Sequence, residues 1–258
     1  MKLRLLPSTF ESDGSASPRQ HLTCFVINDS VAFDAGSLAM AATADDRDNI
    51  RDIVLTHAHL DHVAGLPLFI DDQFSTLEKP IRIHATPDVI EVLERDIFNW
   101  SVYPKFSELQ NDHGPVIEYC PIENGDRFKV AGISVVPIAV NHKVPSSGFL
   151  ISDQDSTIAL TGDTAQLDGF WGVLAKLESL KALLIECAFP DELAELAESS
   201  HHMTPWILAN ELSKFDRTDC PVYAINLKPS YRDAILAEIA DLKIPNLSVL
   251  DVGREYFW

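Results

Sequence analysis

The chain has 258 residues, and 46% of them are hydrophobic. This is enough apolar material to bury one core of the size that α/β proteins form as a single domain. We therefore expect one domain over residues 1–258. Its 39 acidic and 20 basic residues give a formal net charge of -19, which argues against DNA and disfavours RNA as a partner, because most of the surface would repel a polyanion. A small anionic substrate remains compatible with this charge if cations in a site reverse the local field.

The sequence features that bear on cellular location favour the cytoplasm. No stretch of the sequence approaches the roughly 20 consecutive apolar residues that a membrane-spanning helix needs, and the opening seven residues are too short for a signal peptide. Cysteines occur only at positions 24, 120, 187 and 220, without a CxxC pair, so we expect reduced thiols rather than disulfides or a thiolate zinc site. We therefore expect a cytoplasmic protein without a membrane partner, and homo-oligomers are compatible with this sequence.

In chain order, short apolar runs alternate with amphipathic helical patterns. Strands are predicted at residues 24–27, 31–33, 53–55, 81–84, 133–140, 149–151, 158–160, 183–185, 222–225 and 247–250. Helices are predicted at residues 87–98, 204–215 and 231–241. The first two helices follow Thr-Pro, which pairs an N-cap with proline at the first helical position. This alternation is typical of an α/β protein.

A cluster of histidines directly follows the predicted strand at residues 53–55. His57, His59 and His62 fall within six residues, together with Asp61. A strand that ends in this pattern can aim several imidazole nitrogens and a carboxylate at one point, which suits a borderline metal such as zinc. Asp61 and His62 could serve a second ion nearby.

This cluster resembles the defining motif of the metallo-β-lactamase superfamily, and the resemblance continues at three further positions. His142, in Asn-His-Lys-Val-Pro, corresponds to a further histidine of the first metal. Asp163, in Thr-Gly-Asp-Thr, corresponds to the carboxylate that bridges both metals, although such a segment alone could be a turn. Asp34 matches a carboxylate that orients a ligand histidine, with a turn aspartate as the alternative.

Within the superfamily, the whole chain resembles class II 3′,5′-cyclic nucleotide phosphodiesterases, with tRNase Z as a related branch. The supporting segments lie at residues 57–65, 97–100, 140–142, 200–205 and 226–229. His202 falls where these enzymes have a histidine just ahead of a helix, a location that favours a phosphate. Asn226 departs from the pattern, because relatives have the last histidine of the second metal there. An amide oxygen is a weaker zinc ligand and better suited to harder cations.

The resemblance implies a four-layer αβ/βα sandwich with one or two divalent metals at one edge, zinc being favoured and manganese or magnesium being alternatives at the second site. It further implies that a metal-activated hydroxide attacks phosphorus, with Asp61 and His202 as catalytic residues. The implied metal ligands are His57, His59, Asp61, His62, His142, Asp163 and Asn226.

The expected substrate is a 3′,5′-cyclic nucleotide, cleaved to a 5′-monophosphate. The aromatic residues Trp100, Tyr103 and Phe106, in a long segment without clear periodicity, could stack its base, and Lys228 could contact it. Three alternatives stay open. The chain could be an RNA 3′-processing nuclease like tRNase Z, a lactonase, thioesterase or β-lactam hydrolase, or a binding protein that has lost turnover.

Overall fold

The computed structural model describes residues 1–258, with residue 168 described through its backbone alone. The strands, in chain order, are β1 (Lys2–Leu5), β2 (Phe25–Ile27), β3 (Val31–Phe33), β4 (Asp52–Val54), β5 (Ile81–Ala85), β6 (Gln110–Asn111), β7 (Gly114–Pro115), β8 (Ile117–Pro121), β9 (Phe128–Val130), β10 (Ile133–Ala139), β11 (Ser147–Ser152), β12 (Thr157–Leu160), β13 (Ala182–Glu186), β14 (Val222–Ile225), β15 (Leu247–Val249) and β16 (Glu255–Phe257).

The α-helices are α1 (Leu38–Ala41), α2 (Ala44–Asn49), α3 (Leu60–Val63), α4 (Leu66–Asp71), α5 (Pro87–Val92), α6 (Asp168–Leu174), α7 (Ala194–Ser200), α8 (Pro205–Leu212) and α9 (Arg232–Asp241). A π-helical stretch, Leu93–Ile97, continues α5. Short 3₁₀ turns lie at Phe106–Glu108, Asp191–Leu193 and Pro229–Tyr231.

Two mixed sheets face each other. The first has the strand order β16-β1-β2-β3-β4-β5-β8, and the second has the order β15-β14-β13-β12-β11-β10-β9. Strands β3, β4, β5 and β8 run parallel to one another, as do β12 to β15. The carboxyl ends of β3 and β4, and those of β12 and β14, are followed by polar residues that the sequence singled out.

The alternation of side chains along each strand builds three apolar layers. In β3, Val31 and Phe33 point between the sheets, whereas Ala32 points outward to a layer shared with α3, α4 and α5. Phe33 meets Phe149 of the second sheet edge to face, with ring centroids 5.4 Å apart. Helices α6, α8 and α9 cover the outer face of the second sheet. The four-layer αβ/βα sandwich is therefore confirmed.

Most predicted elements are present, with shifted ends. The helix predicted at residues 204–215 ends at Leu212, and the one predicted at residues 87–98 passes into the π-helical stretch. Thr204 caps α8 by accepting from the backbone of Ile207, but the Thr86 side chain makes no capping bond to α5. None of the helices in the described part of the chain is long and apolar enough to cross a membrane.

Candidate metal centre

The loop from Thr56 to His62 leaves the carboxyl end of β4 and lies against Gly36. The backbone N–H of Thr23 donates to the Asp61 carbonyl at 2.8 Å, and that of Ala35 donates to the His62 carbonyl at 2.7 Å. A Cβ atom at position 36 would lie 1.9 Å from the Asp61 carbonyl oxygen, a distance that no side chain tolerates. Glycine at position 36 therefore allows the loop to approach the first sheet closely.

His57 is fully buried and directs an unpaired nitrogen into the centre. The hydroxyl group of Thr56 donates to Asp34 at 2.9 Å. Nδ1 of His57 lies 2.9 Å from the same hydroxyl oxygen, Thr56 Oγ1. Because the hydroxyl hydrogen is used by Asp34, this oxygen accepts from Nδ1–H of His57. Nε2 of His57 is buried without a hydrogen-bond partner. Burial holds the pKa of His57 well below its usual range, so the ring is neutral and Nε2 carries a free lone pair, as a metal ligand requires.

His142, in the loop after β10, brings its ring to the same point. Its Nδ1 donates to the carbonyl of His201 at 3.1 Å, which turns Nε2 toward His59, 3.2 Å from His59 Nδ1. The ring centroids of His57, His59 and His142 are 4.7 to 5.0 Å apart. Burial lowers the pKa of His142 to about 4 and also lowers that of His59, which keeps both rings available as neutral ligands.

Asp163, which follows β12, lies beside His62 and His57. Its Oδ2 is 3.4 Å from His62 Nε2 and 4.0 Å from His57 Nε2. Asp34 contacts Nδ1 of His62 at 2.7 Å and also accepts from the backbone of Thr56 at 2.8 Å, the orienting contact that the sequence predicted. Burial opposes charge on both partners, but the carboxylates of Asp163 and Asp34 raise the pKa of His62, and His62 lowers that of Asp163.

Three overlapping groups of side chains could each hold a cation, because their ligand atoms lie within 4.8 Å of one another. They are His57 with His59 and His142, His57 with His62 and Asp163, and His142 with Asp163 and His202. The donor set of imidazole nitrogens and one carboxylate, with the unpaired Nε2 of His57 among them, fits a divalent metal such as zinc.

Asp61 and Asn226 are placed less favourably as ligands. Asp61 accepts from the ammonium group of Lys228 at 3.1 Å. Asn226 donates from Nδ2 to Asp163 Oδ1 at 2.5 Å, while its carbonyl oxygen faces Thr23 Oγ1 at 3.4 Å. Both residues line a cavity of about 130 Å³ together with Lys228, His62 and Asp163. Asn226 therefore offers a hydrogen-bond donor, rather than a ligand atom, toward Asp163.

His202 forms a buried pair with Glu186, a residue that sequence reasoning missed. Its Nδ1 makes a very short hydrogen bond to Glu186 Oε1 and lies 4.0 Å from Asp163 Oδ2. The other Glu186 oxygen accepts from the backbone of Met203 at 2.6 Å. Burial raises the pKa of Glu186 to about 7, and Glu186 raises that of His202 against the effect of burial, so a proton resides on this pair near neutral pH. The available signal in the sequence was a glutamate that directly follows the apolar run at residues 182–185.

The three aromatic residues that were predicted to stack the base differ in their exposure to solvent. Phe106 is buried in the core against Phe74 and Phe98, so the structure does not support a stacking role for it. Trp100 is exposed, and its indole N–H donates to Glu108 at 3.1 Å. The Tyr103 hydroxyl donates to Asp71 at 3.0 Å. In the part of the chain that the structure describes, none of the three is among the residues that line the cavities beside His59 and His202.

Comparison with known proteins agrees with this architecture. A family model described as "Beta-lactamase superfamily domain" matches residues 26–217. A crystal structure of unliganded yeast PDE1 superposes with a TM-score of 0.79 over 100% of this chain and 99% of that one, at 18% sequence identity. At that identity the similarity shows a common fold.

Two relatives carry functional names. A protein of Yersinia pestis named "Probable 3',5'-cyclic-nucleotide phosphodiesterase" is 30% identical over an alignment of 224 residues that covers 75% of this chain and 63% of that protein. A chloroplastic tRNase Z of Arabidopsis thaliana is 28% identical over 136 residues, which are 51% of this chain and 34% of that protein. The chain thus spans less than two thirds of either relative.

Proposed function

The chain belongs to the beta-lactamase superfamily domain family, and from this membership we propose that it is a metal-dependent phosphodiesterase that hydrolyses 3′,5′-cyclic nucleotides to 5′-monophosphates. One observation carries the proposal. The cluster of His57, His59, His142 and Asp163, of which only His59 is half-exposed, lies directly beside the protonated pair of His202 and Glu186, with Asp163 Oδ2 4.0 Å from His202 Nδ1. A cation site and a proton donor are the two groups that assist hydrolysis of a phosphodiester whose leaving group is an alkoxide.

In this proposal His57, His59 and His142 would hold the first metal, zinc being favoured, His62 and Asp61 would hold a second, and Asp163 would serve both. A divalent cation bound there would lower the pKa of a water molecule and neutralise negative charge on the phosphoryl oxygens. Asp34 and Thr56 orient His62 and His57, and the carbonyl of His201 orients His142. These contacts fix which ring nitrogen faces the centre.

His202 acts as the general acid. Formation of a 5′-monophosphate breaks the bond between phosphorus and the 3′ oxygen, and that oxygen must receive a proton as it leaves. Glu186 accepts from Nδ1 of His202 and thereby favours the doubly protonated ring, so that Nε2 gives its proton to the leaving oxygen, and Glu186 is itself fixed by the backbone N–H of Met203. Lys228, which donates to Asp61 beside the 130 Å³ cavity, contributes a positive charge for a phosphate oxygen.

Substrate choice is tested by incubating the metal-loaded protein with cyclic AMP, cyclic GMP, a precursor tRNA, a lactone and a β-lactam. We expect cleavage of at least one cyclic nucleotide and negligible processing of the tRNA, because the net charge of -19 repels a polyanion. Chromatography of the nucleotide products should show the 5′-monophosphate. Cleavage of the tRNA with both cyclic nucleotides untouched would assign the chain to the second candidate function, RNA 3′ processing, which the similarity to tRNase Z favours.

The remaining alternatives give different results in the same assay. A lactonase or β-lactam hydrolase would act on its own substrate and spare the phosphodiesters. A binding protein without turnover would take up metal and leave every substrate intact. Metal analysis alongside the assay separates this last case from an unfolded preparation.

We expect the protein to hold fewer than two zinc equivalents, because Asn226 points its amide N–H at Asp163. Asn226→His should raise zinc stoichiometry toward two, since an imidazole nitrogen is a better zinc ligand than an amide. Asn226 has a backbone φ of 59°, a left-handed conformation that histidine also tolerates. Calorimetric zinc titration of both proteins measures the change.

Asn210→His is the matched control, because this asparagine is exposed on α8 and the substitution adds a histidine away from the centre. Two equally tight zinc sites in the unmodified chain, unchanged by Asn226→His, would contradict the prediction. A second site that prefers manganese or magnesium to zinc agrees with it, because harder cations accept oxygen ligands more readily.

The proposal treats residues 1–258 as one hydrolase domain. Pairing of β1 with β16 in one sheet supports this, because it joins residues from both ends of the given sequence. We further propose a reducing compartment such as the cytoplasm, supported by the absence of disulfides among the described cysteines.

A further inference from the structure

A cleft of about 470 Å³ opens on the His202 side of the centre. It is lined by His202 together with Asn141, Gln166, Glu195, Glu198, His201 and Trp206. Its volume is within the range of roughly 300 to 1,000 Å³ that is common for small-molecule sites. The proposed chemistry at the metals does not use this space.

Trp206 gives the cleft an aromatic wall. Its side chain is 64% exposed, although tryptophan is usually withdrawn from water unless a partner covers it. It lies in the first turn of α8, and its backbone N–H donates to Asp191 at 2.9 Å, so the indole is carried by a fixed element rather than by a loop. An exposed indole that a fixed backbone places in a cleft is suited to stacking a planar group.

The chemistry of the proposed reaction determines which part of the substrate lies here. Both ester oxygens of a 3′,5′-cyclic phosphate belong to one ribose, and the ribose carries the base. With the phosphate at the metal centre, the nucleoside must occupy space next to that centre, and this cleft adjoins it at His202.

The charge of the cleft supports the same orientation. Glu195 and Glu198 line it, and both are exposed carboxylates that repel a phosphate. A neutral base can enter, whereas a polynucleotide would have to carry further phosphates past both carboxylates. This arrangement favours a mononucleotide over an RNA strand.

We propose that Trp206 stacks the nucleobase of the substrate in this cleft, and this inference rests on the proposed cyclic nucleotide phosphodiesterase function. It assigns the base-binding role to Trp206 in place of the aromatic residues at positions 100, 103 and 106. The ligand is a mononucleotide in which one nucleobase is attached to a ribose 3′,5′-cyclic phosphate.

Steady-state kinetics of the metal-loaded protein test the assignment. Trp206→Ala should raise KM for the preferred cyclic nucleotide by about 5- to 150-fold, the range expected for losing one stacked base, with little change in kcat. Trp206→Phe should retain most of the affinity. Phe257→Ala is the matched control, because that aromatic residue is 67% exposed but lies outside the cleft, and the KM of this variant should equal that of the wild-type protein.

A substrate without a base separates stacking from damage to the centre. Methyl riboside 3′,5′-cyclic phosphate should be hydrolysed equally by the wild-type protein and Trp206→Ala. Loss of activity toward this compound, or an unchanged KM of Trp206→Ala for the nucleotide, would overturn the assignment.

Binding is measured independently of turnover by titrating tryptophan fluorescence of the metal-loaded protein with a cyclic phosphorothioate nucleotide. Quenching that persists in Trp100→Phe and disappears in Trp206→Phe supports stacking of the base on Trp206. This result is independent of turnover, so it would support the base site even if cyclic nucleotides are not hydrolysed. Quenching that persists in Trp206→Phe would exclude this tryptophan as the base contact.

Discussion

His59→Ala is expected to remove the first metal and to reduce hydrolysis of the cyclic nucleotide by at least about 10³-fold, since Lewis-acid stabilisation contributes several kcal/mol. Its ring lies 3.2 Å from Nε2 of His142 and shares the site with His57. A catalytic zinc site with three histidines cannot lose one and keep its affinity. Metal content by atomic absorption and the initial rate should fall together.

His113→Ala is the matched control for this substitution, because His113 is exposed and outside the cluster. It should retain full metal content and rate. Chelation of the wild-type protein should abolish the rate, and zinc or manganese should restore it. Full activity in protein shown to be metal-free would refute the mechanism.

His202→Ala is expected to lower kcat for cyclic nucleotides by about 10²- to 10⁴-fold, the usual contribution of a general acid. The effect should depend on the leaving group. Bis(p-nitrophenyl) phosphate releases p-nitrophenolate, which needs no proton to depart, so its hydrolysis should fall much less. Kinetics with both substrates, together with metal analysis, measure the difference.

Glu186→Gln distinguishes positioning from proton donation. The glutamine oxygen can still accept from His202 Nδ1, but the neutral amide no longer favours a charged ring, so an intermediate loss of kcat is expected. An equal loss for both substrates in His202→Ala, or a parallel loss of metal, would mean that His202 is a ligand within the group it forms with His142 and Asp163.

Local pattern was sufficient to predict most strands of the two sheets, among them β2 to β5 and β10 to β15, and the loop that follows β4. Apolar runs such as Leu183 to Ile185 are buried on both faces, so their strands are visible without knowledge of their partners. Strand β1 was missed, because Lys2–Leu5 alternates over only four residues, and its pairing with β2 and β16 identifies it. Helices of four to seven residues, such as α1 and α7, are too short to show a period.

The residues adjacent in sequence form a recognisable motif, and the distant residues His142, Asp163 and His202 were named through the family resemblance, whereas Glu186 was named by neither route. His57 and His62 form one motif, whereas Glu186 acquires its role from a histidine that approaches from the loop between α7 and α8. The aromatic residues show the same limit. In the irregular segment around Phe106, no periodicity separates inward from outward side chains, and Trp206 is a single aromatic residue at the start of a helix.

The close approach of the histidine loop to Gly36 affects the thermodynamics of metal uptake. Fixing the backbone of one residue costs about 1 to 2 kcal/mol of conformational entropy, so ordering the six residues from His57 to His62 would cost roughly 6 to 12 kcal/mol. Here folding of the first sheet already orders that backbone. The N–H groups of Thr23 and Ala35 donate hydrogen bonds to it, and glycine at position 36 leaves the space that it occupies. Metal binding need not supply this free energy, so the intrinsic affinity of the ligands is available almost in full for retaining the ion.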